Sequence, residues 1–290
     1  MKGQRGGVFS TPVYIVRSCA ASYSQVLPDG VPTMQPSDLS QWIADRRVQR
    51  RMGRLSRTAL ETAFRCLSDA GSLAAIITAT GYGFLDETEK FMQAFLECQE
   101  HLVPPTAFIQ STFNTIGAQL AHVKGMHVHN STHVQGNVSL ECAMFEGVGI
   151  LQSAEEQQVL VGAFDERTPM LETMLGAMEQ ASAGEIGEGV AFFLLSNMCA
   201  GDAVEIRTMH FCPEELPREA ALSWLEGVSG AVDRAHLYWV DDFEGELGYC
   251  TSLSAVAMHR ITERLQPGDE GWLVNVGLRG TAAIQLRRVC

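Results

Sequence analysis

Val190-Ala-Phe-Phe-Leu-Leu195 is the longest unbroken apolar run in the chain. A run of this kind, with no polar interruption, reads as a strand buried on both faces, because a strand with one solvated face alternates. Similar runs recur on either side of it, at Val13-Tyr-Ile-Val16, Ala74-Ala-Ile-Ile-Thr78, Gln158-Val-Leu-Val161, Leu237-Tyr-Trp-Val240 and Trp272-Leu-Val-Asn-Val276. Helical patterns separate them. Leu55, Ala59, Leu60, Ala63, Phe64 and Leu67 share one face, with Gly71 as a stop signal. Residues 87–102, 138–151, 214–228 and 254–265 carry further helical patterns, and Thr251 or Ser252 is suited to cap the last of them. Buried strands alternating with helices predict an α/β fold with helices on both sides of the sheet. A break near residues 199–202 divides the chain into lobes of 1–200 and 201–290, packed together because no linker composition marks the junction. Residues 24–38, with Pro28, Gly30, Pro32 and Pro36, predict an extended surface loop.

Composition narrows the function. With 46% hydrophobic and 19% charged residues, the 290-residue chain is globular. Its 21 basic and 34 acidic residues leave a net charge of −13, which argues against a nucleic-acid partner, since phosphate contacts need a positive field. The longest apolar run is far short of the roughly 20 residues of a membrane helix. Pro12 and Arg17 interrupt the only apolar stretch near the N-terminus, so no secretory signal is read and a cytoplasmic chain is expected. Eight cysteines are scattered with no C-x-x-C pair, so no zinc or dithiol motif is present and no metal or cofactor is expected.

Pro104-Pro-Thr-Ala-Phe-Ile-Gln-Ser-Thr-Phe-Asn-Thr-Ile-Gly-Ala-Gln-Leu-Ala121 resembles the Pro-Thr-x-Phe…Ser…Asn-Thr…Gly…Ala run of the β-ketoacyl-ACP synthases, the ketosynthases of the thiolase superfamily. Three segments agree in order and spacing. They are Arg51-Met52…Leu55-Ser56…Ala59-Leu60…Ala63, then Val159-Leu-Val-Gly-Ala-Phe-Asp-Glu166, then Gly187-Glu-Gly-Val-Ala-Phe-Phe193. The resemblance implies a thiolase-like layered αβαβα sandwich, here with a shortened second lobe.

The departures are as informative as the matches. An active ketosynthase carries a Cys at the tip of a buried helix, whose N-terminus lowers the thiol pKa so that a thiolate accepts the acyl group. Here the matching stretch is Ser131-Thr-His-Val-Gln-Gly-Asn137, and the count back from Gly162 puts Gln135 at the nucleophile position, to within one or two residues. An amide cannot form a thioester. The family's two His residues and its Lys stabilise charge during decarboxylation and condensation. Here Gly248-Tyr249 stands where Gly-His is expected, the His-Gly-Thr-Gly-Thr loop is missing, and the three lysines (2, 90 and 124) lie elsewhere in the sequence. The Gly-rich closing turn is altered to Asn275-Val-Gly-Leu-Arg-Gly-Thr281.

The resemblance offers a role for such a chain, that of a chain-length factor. These noncatalytic subunits pair with an active ketosynthase and shape the tunnel in which a polyketide or polyene grows, and shorter relatives serve aryl-polyene pathways. On that reading no catalytic residue is expected, and Phe113, Asn114, His133, Val134, Gln135, Gly136 and Leu278 are candidates to line the tunnel. The partners are an active ketosynthase or a second copy, and an acyl carrier protein. Arg46, Arg47, Arg50, Arg51, Arg54 and Arg57 fall at helical spacings opposite an apolar stripe. They form either a solvated face or a docking surface for an acidic carrier protein, with Arg47, Arg50, Arg51 and Arg54 as its core. His127, His129 and His133 share a period-two spacing that suits a polar lining or a dimer contact better than a metal. Two other readings stay open. One is an acyltransferase or condensing enzyme with a displaced nucleophile at Ser139, Cys142 or Cys250; the other is a ligand-binding homodimer. An edge strand near residues 125–130 is the expected dimer contact.

Overall fold

The computed structural model describes residues 5–21, 23–26, 32–34, 37–97, 105–153, 155, 157–178, 186–199 and 201–289. The first half contains β1 (Arg5–Ala20), β2 (Tyr23–Val26), β3 (Pro32–Met34), α1 (Arg46–Arg51), α2 (Arg54–Cys66), β4 (Leu73–Ala79) and α3 (Leu85–Glu97). It continues through α4 (Pro105–Gln110), α5 (Thr115–Lys124), β5 (His129–His133), α6 (Ser139–Ser153), β6 (Gln158–Asp165), α7 (Pro169–Ala177) and β7 (Gly189–Ser196). The second half contains β8 (Val204–Cys212), α8 (Arg218–Ser229), β9 (Leu237–Trp239), α9 (Glu244–Leu247), α10 (Leu253–Arg264), β10 (Glu270–Gly277) and β11 (Gly280–Arg288).

The strands join in the order β5-β4-β6-β7-β1-β8-β11-β10-β9. β4 is parallel to β5 and β6, and β7 runs antiparallel between β6 and β1. The long β1 holds the two halves together. Tyr14–Ala20 pairs with β7, while Arg5–Ile15 pairs with β8, and an irregularity in each ladder lets one strand serve both.

Alternate residues of the apolar runs enter different cores, which is why no polar residue interrupts them. In β7, Val190, Phe192 and Leu194 pack outward on α2 and α5, whereas Ala191, Phe193 and Leu195 face a central layer. That layer contains α6 and α10, through Leu140, Met144, Val256 and Ile261, and β8 and β11 close it with Ile206, Met209 and Ile284. On the far side, Trp272, Val274 and Ala283 receive Leu225 of α8. The result is the αβαβα layering that the resemblance implies. Among the described residues, no helix is long and apolar enough to cross a membrane.

Two local readings are corrected. Within the expected loop 24–38, β2 and β3 pair as an antiparallel ladder, with residues 27–31 and 35–36 outside the described set. The arginine segment is also not one helix. Met52 is extended and Gly53 begins α2 afresh, so the arginines of α1 and α2 do not share a face. The helix predicted over 87–102 is α3, described as far as Glu97.

One close approach fixes the lobes near the candidate site. Gly187 N–H donates to Tyr249 O (2.7 Å), and a Cβ on Gly187 would lie 2.1 Å from Leu247 O. Gly187→Ala is therefore expected to cost about 3 kcal/mol, since backbone on both sides has to move. Gly149, exposed in α6 with open space around its Cα, is the control. Gly149→Ala should gain about 0.5–1 kcal/mol. Urea unfolding of the two variants tests both signs.

Candidate functional site

The site forms where β5 turns into α6. The chain leaves the strand through Val134 and Gln135, reverses at Gly136 (φ 60°), and enters α6 by one tight turn. Only glycine takes that φ without strain. Gln135 N–H donates to Ser139 Oγ (2.8 Å), and Ser139 Oγ reaches Thr80 O (2.9 Å) and Gly136 O (2.7 Å). Ser139 is thus buried and locked into the turn.

This turn faces a cleft of ≈ 650 Å³. Of the residues singled out in the sequence, Val134, Gln135, Gly136, Tyr249 and Leu278 line it together. The other candidates lie elsewhere. His133 pairs through Nε2 with Glu146 of α6, which also takes His129 Nε2 (2.7 Å) and Ser131 Oγ (2.9 Å). Those donors hold the Glu146 carboxyl below its ordinary pKa against the opposing effect of partial burial. Phe113 stands against Gly83, and Asn114 precedes α5; neither lines the cleft. Arg46, Arg47, Arg50 and Arg51 are exposed on α1. Arg54 is not available for docking. Its guanidinium is clamped by Glu188 at 2.6 Å through both nitrogens, with Glu166 at 3.9 Å.

Three sets of contacts hold the cleft. The buried Asp165 carboxylate accepts from Thr80 Oγ1 (2.7 Å), Gly81 N (3.0 Å), Tyr82 N (3.0 Å) and Thr251 Oγ1 (2.6 Å). Burial raises its pKa and these donors restrain the rise. Tyr82 and Tyr249 share a hydrogen bond across the wall, both pushed up mainly by burial. Glu141, wholly buried in α6, accepts from Asn275 Nδ2 (2.9 Å), which also reaches Asn137 O (2.7 Å). Burial pushes Glu141 up to about 7. For Asp165 the available signal was a carboxylate ending an apolar run.

Two of the displaced-nucleophile candidates are thiols. Burial pushes Cys142 up to about 11 and Cys250 up to about 12, so both stay protonated and neutral. Ser139, the third residue of that reading, is held in the turn by its hydrogen bonds to Gln135 N, Thr80 O and Gly136 O.

A family model described as β-ketoacyl synthase, N-terminal domain, matches residues 32–188. The chain belongs to that family. The fold agrees with solved ketosynthase-family structures, each aligned over nearly its whole length. One is the ishigamide ketosynthase/chain length factor, with TM-score 0.69, 14% identity, 98% of this chain and 99% of that one. A second is the ketosynthase ApeO in complex with its chain length factor ApeC from Xenorhabdus doucetiae, with TM-score 0.60, 17% identity, and 96% and 99% coverage. A third is AntDE:AntF, a type II polyketide synthase acyl-carrier protein in complex with its ketosynthase, with TM-score 0.70, 13% identity, and 97% and 100% coverage. A search of curated proteins finds no match.

In this ketosynthase-family chain, Glu141 makes stability depend on pH. Between its ordinary 4.5 and about 7, the unfolded chain releases a proton that the folded chain keeps. Wild-type stability should therefore fall as pH rises through that window and level off above it. Glu141→Gln keeps the acceptor for Asn275 and does not titrate. Its stability relative to wild type should rise across the window, read by urea unfolding at pH values on either side of it. Parallel curves would place the proton elsewhere.

Proposed function

We propose that this chain is a noncatalytic, chain-length-factor-like subunit that supports an active ketosynthase in fatty-acid or polyketide synthesis of the aryl-polyene type. The observation that carries the reading is the turn Gln135-Gly136, which presents no nucleophile to a cleft that is otherwise formed. Tyr249 on the facing wall, where the family has a His, supports it further. So does the neutral state of Cys142 and Cys250, which leaves the displaced-nucleophile alternative without a thiolate.

A partner subunit suits the surface. β5 ends the sheet with one ladder open, and an open edge invites pairing. Exposed apolar side chains stand on other helices, with Phe108 and Ile109 on α4, Met92 and Leu96 on α3, and Met170 and Met174 on α7. α4 meets α3 through a Phe91–Phe108 ring contact at 5.5 Å. Apolar exposure on this scale is characteristic of an interaction surface. Two of the similar structures are a ketosynthase with its chain length factor and a ketosynthase with its carrier protein, and both kinds of partner are proposed here.

The decisive experiment incubates the co-purified pair with acyl carrier thioester and reads the intact mass of each subunit. The partner ketosynthase should gain the acyl group and this chain should not. An adduct on Ser139, Cys142 or Cys250 would instead make it an enzyme. A chain that stays monomeric at micromolar concentration, alone and with the ketosynthase, would count against the subunit role.

Carrier docking is tested on α1. The exposed Arg47, Arg50 and Arg51 are screened by solvent, so one Arg→Ala change should weaken carrier binding only slightly. Arg47→Glu, Arg50→Glu and Arg51→Glu together should slow association at least about tenfold through like-charge repulsion. Wild-type binding should fall with added salt. Unchanged binding by a folded triple variant would make these arginines a solvated face.

A further inference from the structure

Cys66 ends α2 and is tied to Arg17 of β1 in both directions. The Arg17 guanidinium donates to Cys66 O (3.4 Å) and to Ser68 Oγ (2.8 Å), while Cys66 Sγ donates to Arg17 O (3.8 Å). Further along β1 stands Cys19, which packs against the same outer core that holds Cys66. The two thiols also share a hydrogen bond. It holds Cys19 down to about 7 and pushes Cys66 up, so Cys66 keeps the proton. Partial burial opposes the lowering at Cys19, and Arg65 and Arg17 add to it. Among the described residues, no other thiol has a thiol partner.

The pair is placed where a small oxidant can reach it. Over Arg17–Ala20 the strand pairs with β7, whereas the β8 ladder stops at Ile15, so among the described residues this stretch has one free edge. Ala20, which follows Cys19, and Arg65, which precedes Cys66, line an open hollow of ≈ 440 Å³ with His259 and Glu263 of α10. Glu263 is near enough to act on the Cys19 charge. Cys19 is half-buried there, and Cys66 is buried. We propose that Cys19 and Cys66 form an oxidation site for small hydroperoxides, closing into a disulfide that fastens α2 to β1. In the first step the Cys19 thiolate attacks one oxygen of hydrogen peroxide. The S–O bond forms, the O–O bond breaks and hydroxide leaves. In the second, the Cys66 sulfur attacks the Cys19 sulfur. The S–S bond forms as the S–O bond breaks, and the Cys66 proton departs with the hydroxide as water. The sulfurs give up two electrons, which the peroxide takes. They must close from hydrogen-bond contact to a bond of about 2 Å, and the half-buried Cys19 is the one with room to turn. This inference rests on the contact between α2 and β1 and is independent of pairing with a ketosynthase.

The test treats the reduced full chain with hydrogen peroxide near neutral pH, alkylates the remaining thiols and maps the non-reduced peptides by mass. A peptide pair joined through Cys19 and Cys66 should appear, and dithiothreitol should abolish it. In Cys66→Ser, Cys19 should stop at the sulfenic acid, which dimedone traps. In Cys19→Ser, Cys66 should stay reduced, because it is buried and protonated. Oxidised wild type should unfold at a higher urea concentration than the reduced protein, and Cys19→Ser should show no such rise. Alkylation of reduced Cys19 by iodoacetamide should climb through about pH 7. Should a serine variant fail to fold, the wild-type peptide map and alkylation profile decide alone. Recovery of both Cys19 and Cys66 as free thiols after excess peroxide would overturn the proposal. So would cross-linking of either residue to another cysteine in preference, or alkylation of Cys19 only at the pH of an ordinary thiol, about 8.5.

Discussion

The geometry of the site depends on the Asp165 carboxylate. It terminates β6, a strand of buried apolar residues, and it is sealed from water. An isolated carboxylate in that position is costly, so it must be surrounded by donors. The donors come from separate parts of the chain: Thr80, Gly81 and Tyr82 from the end of β4, and Thr251 from the second half, just before α10. Three of those four residues also line the cleft. Packing leaves no slack, since a Cβ on Gly81 would meet Thr251 Oγ1 at 2.1 Å. One buried charge therefore sets the distance between the two halves at the level of the site.

A second ionic contact joins two of the segments that resemble ketosynthases. Arg54 opens α2, and Glu188 belongs to the Gly-Glu-Gly segment that opens β7. Their bidentate pair joins these segments across the outer core, with Glu166 beside it. Burial pushes Glu166 up to about 7, and Arg54 draws it back down. Removing Arg54 would leave the buried Glu188 carboxylate without its strongest compensation. The motif residues here are fasteners.

The layers were legible because the apolar runs report double-sided burial directly, as β7 demonstrates with three residues to each core. The strand-to-helix turn was legible too, since the helix read from residue 138 begins at Ser139. Other features left no local trace. β1 runs well beyond Val13–Val16 because backbone pairing with two strands, rather than side-chain hydrophobicity, extends it. Arg54 read as one of six alike, and only the approach of Glu188, distant in sequence, removes it from the exposed set. Phe113 and Asn114 belong to a family-like run, but the fold directs that run against Gly83 rather than into the cleft.

The cleft's shape and its chemistry are separable in this chain. Its walls are fixed by Asp165 with its donors, by Gly187 N–H on Tyr249 O, and by Glu141 on Asn275. A cavity held this way keeps its form when the tip of α6 carries Gln135-Gly136, because the turn is locked from below by Ser139 and not by a reacting group. Asp165, Glu141 and Gly187 stand behind the lining, whereas their partners Gly81, Tyr82, Thr251 and Tyr249 line the cleft themselves. Arg279 enters the closing turn beside Gly280, whose φ of 130° preserves the hairpin, and reaches the cleft without disturbing the ladder behind it.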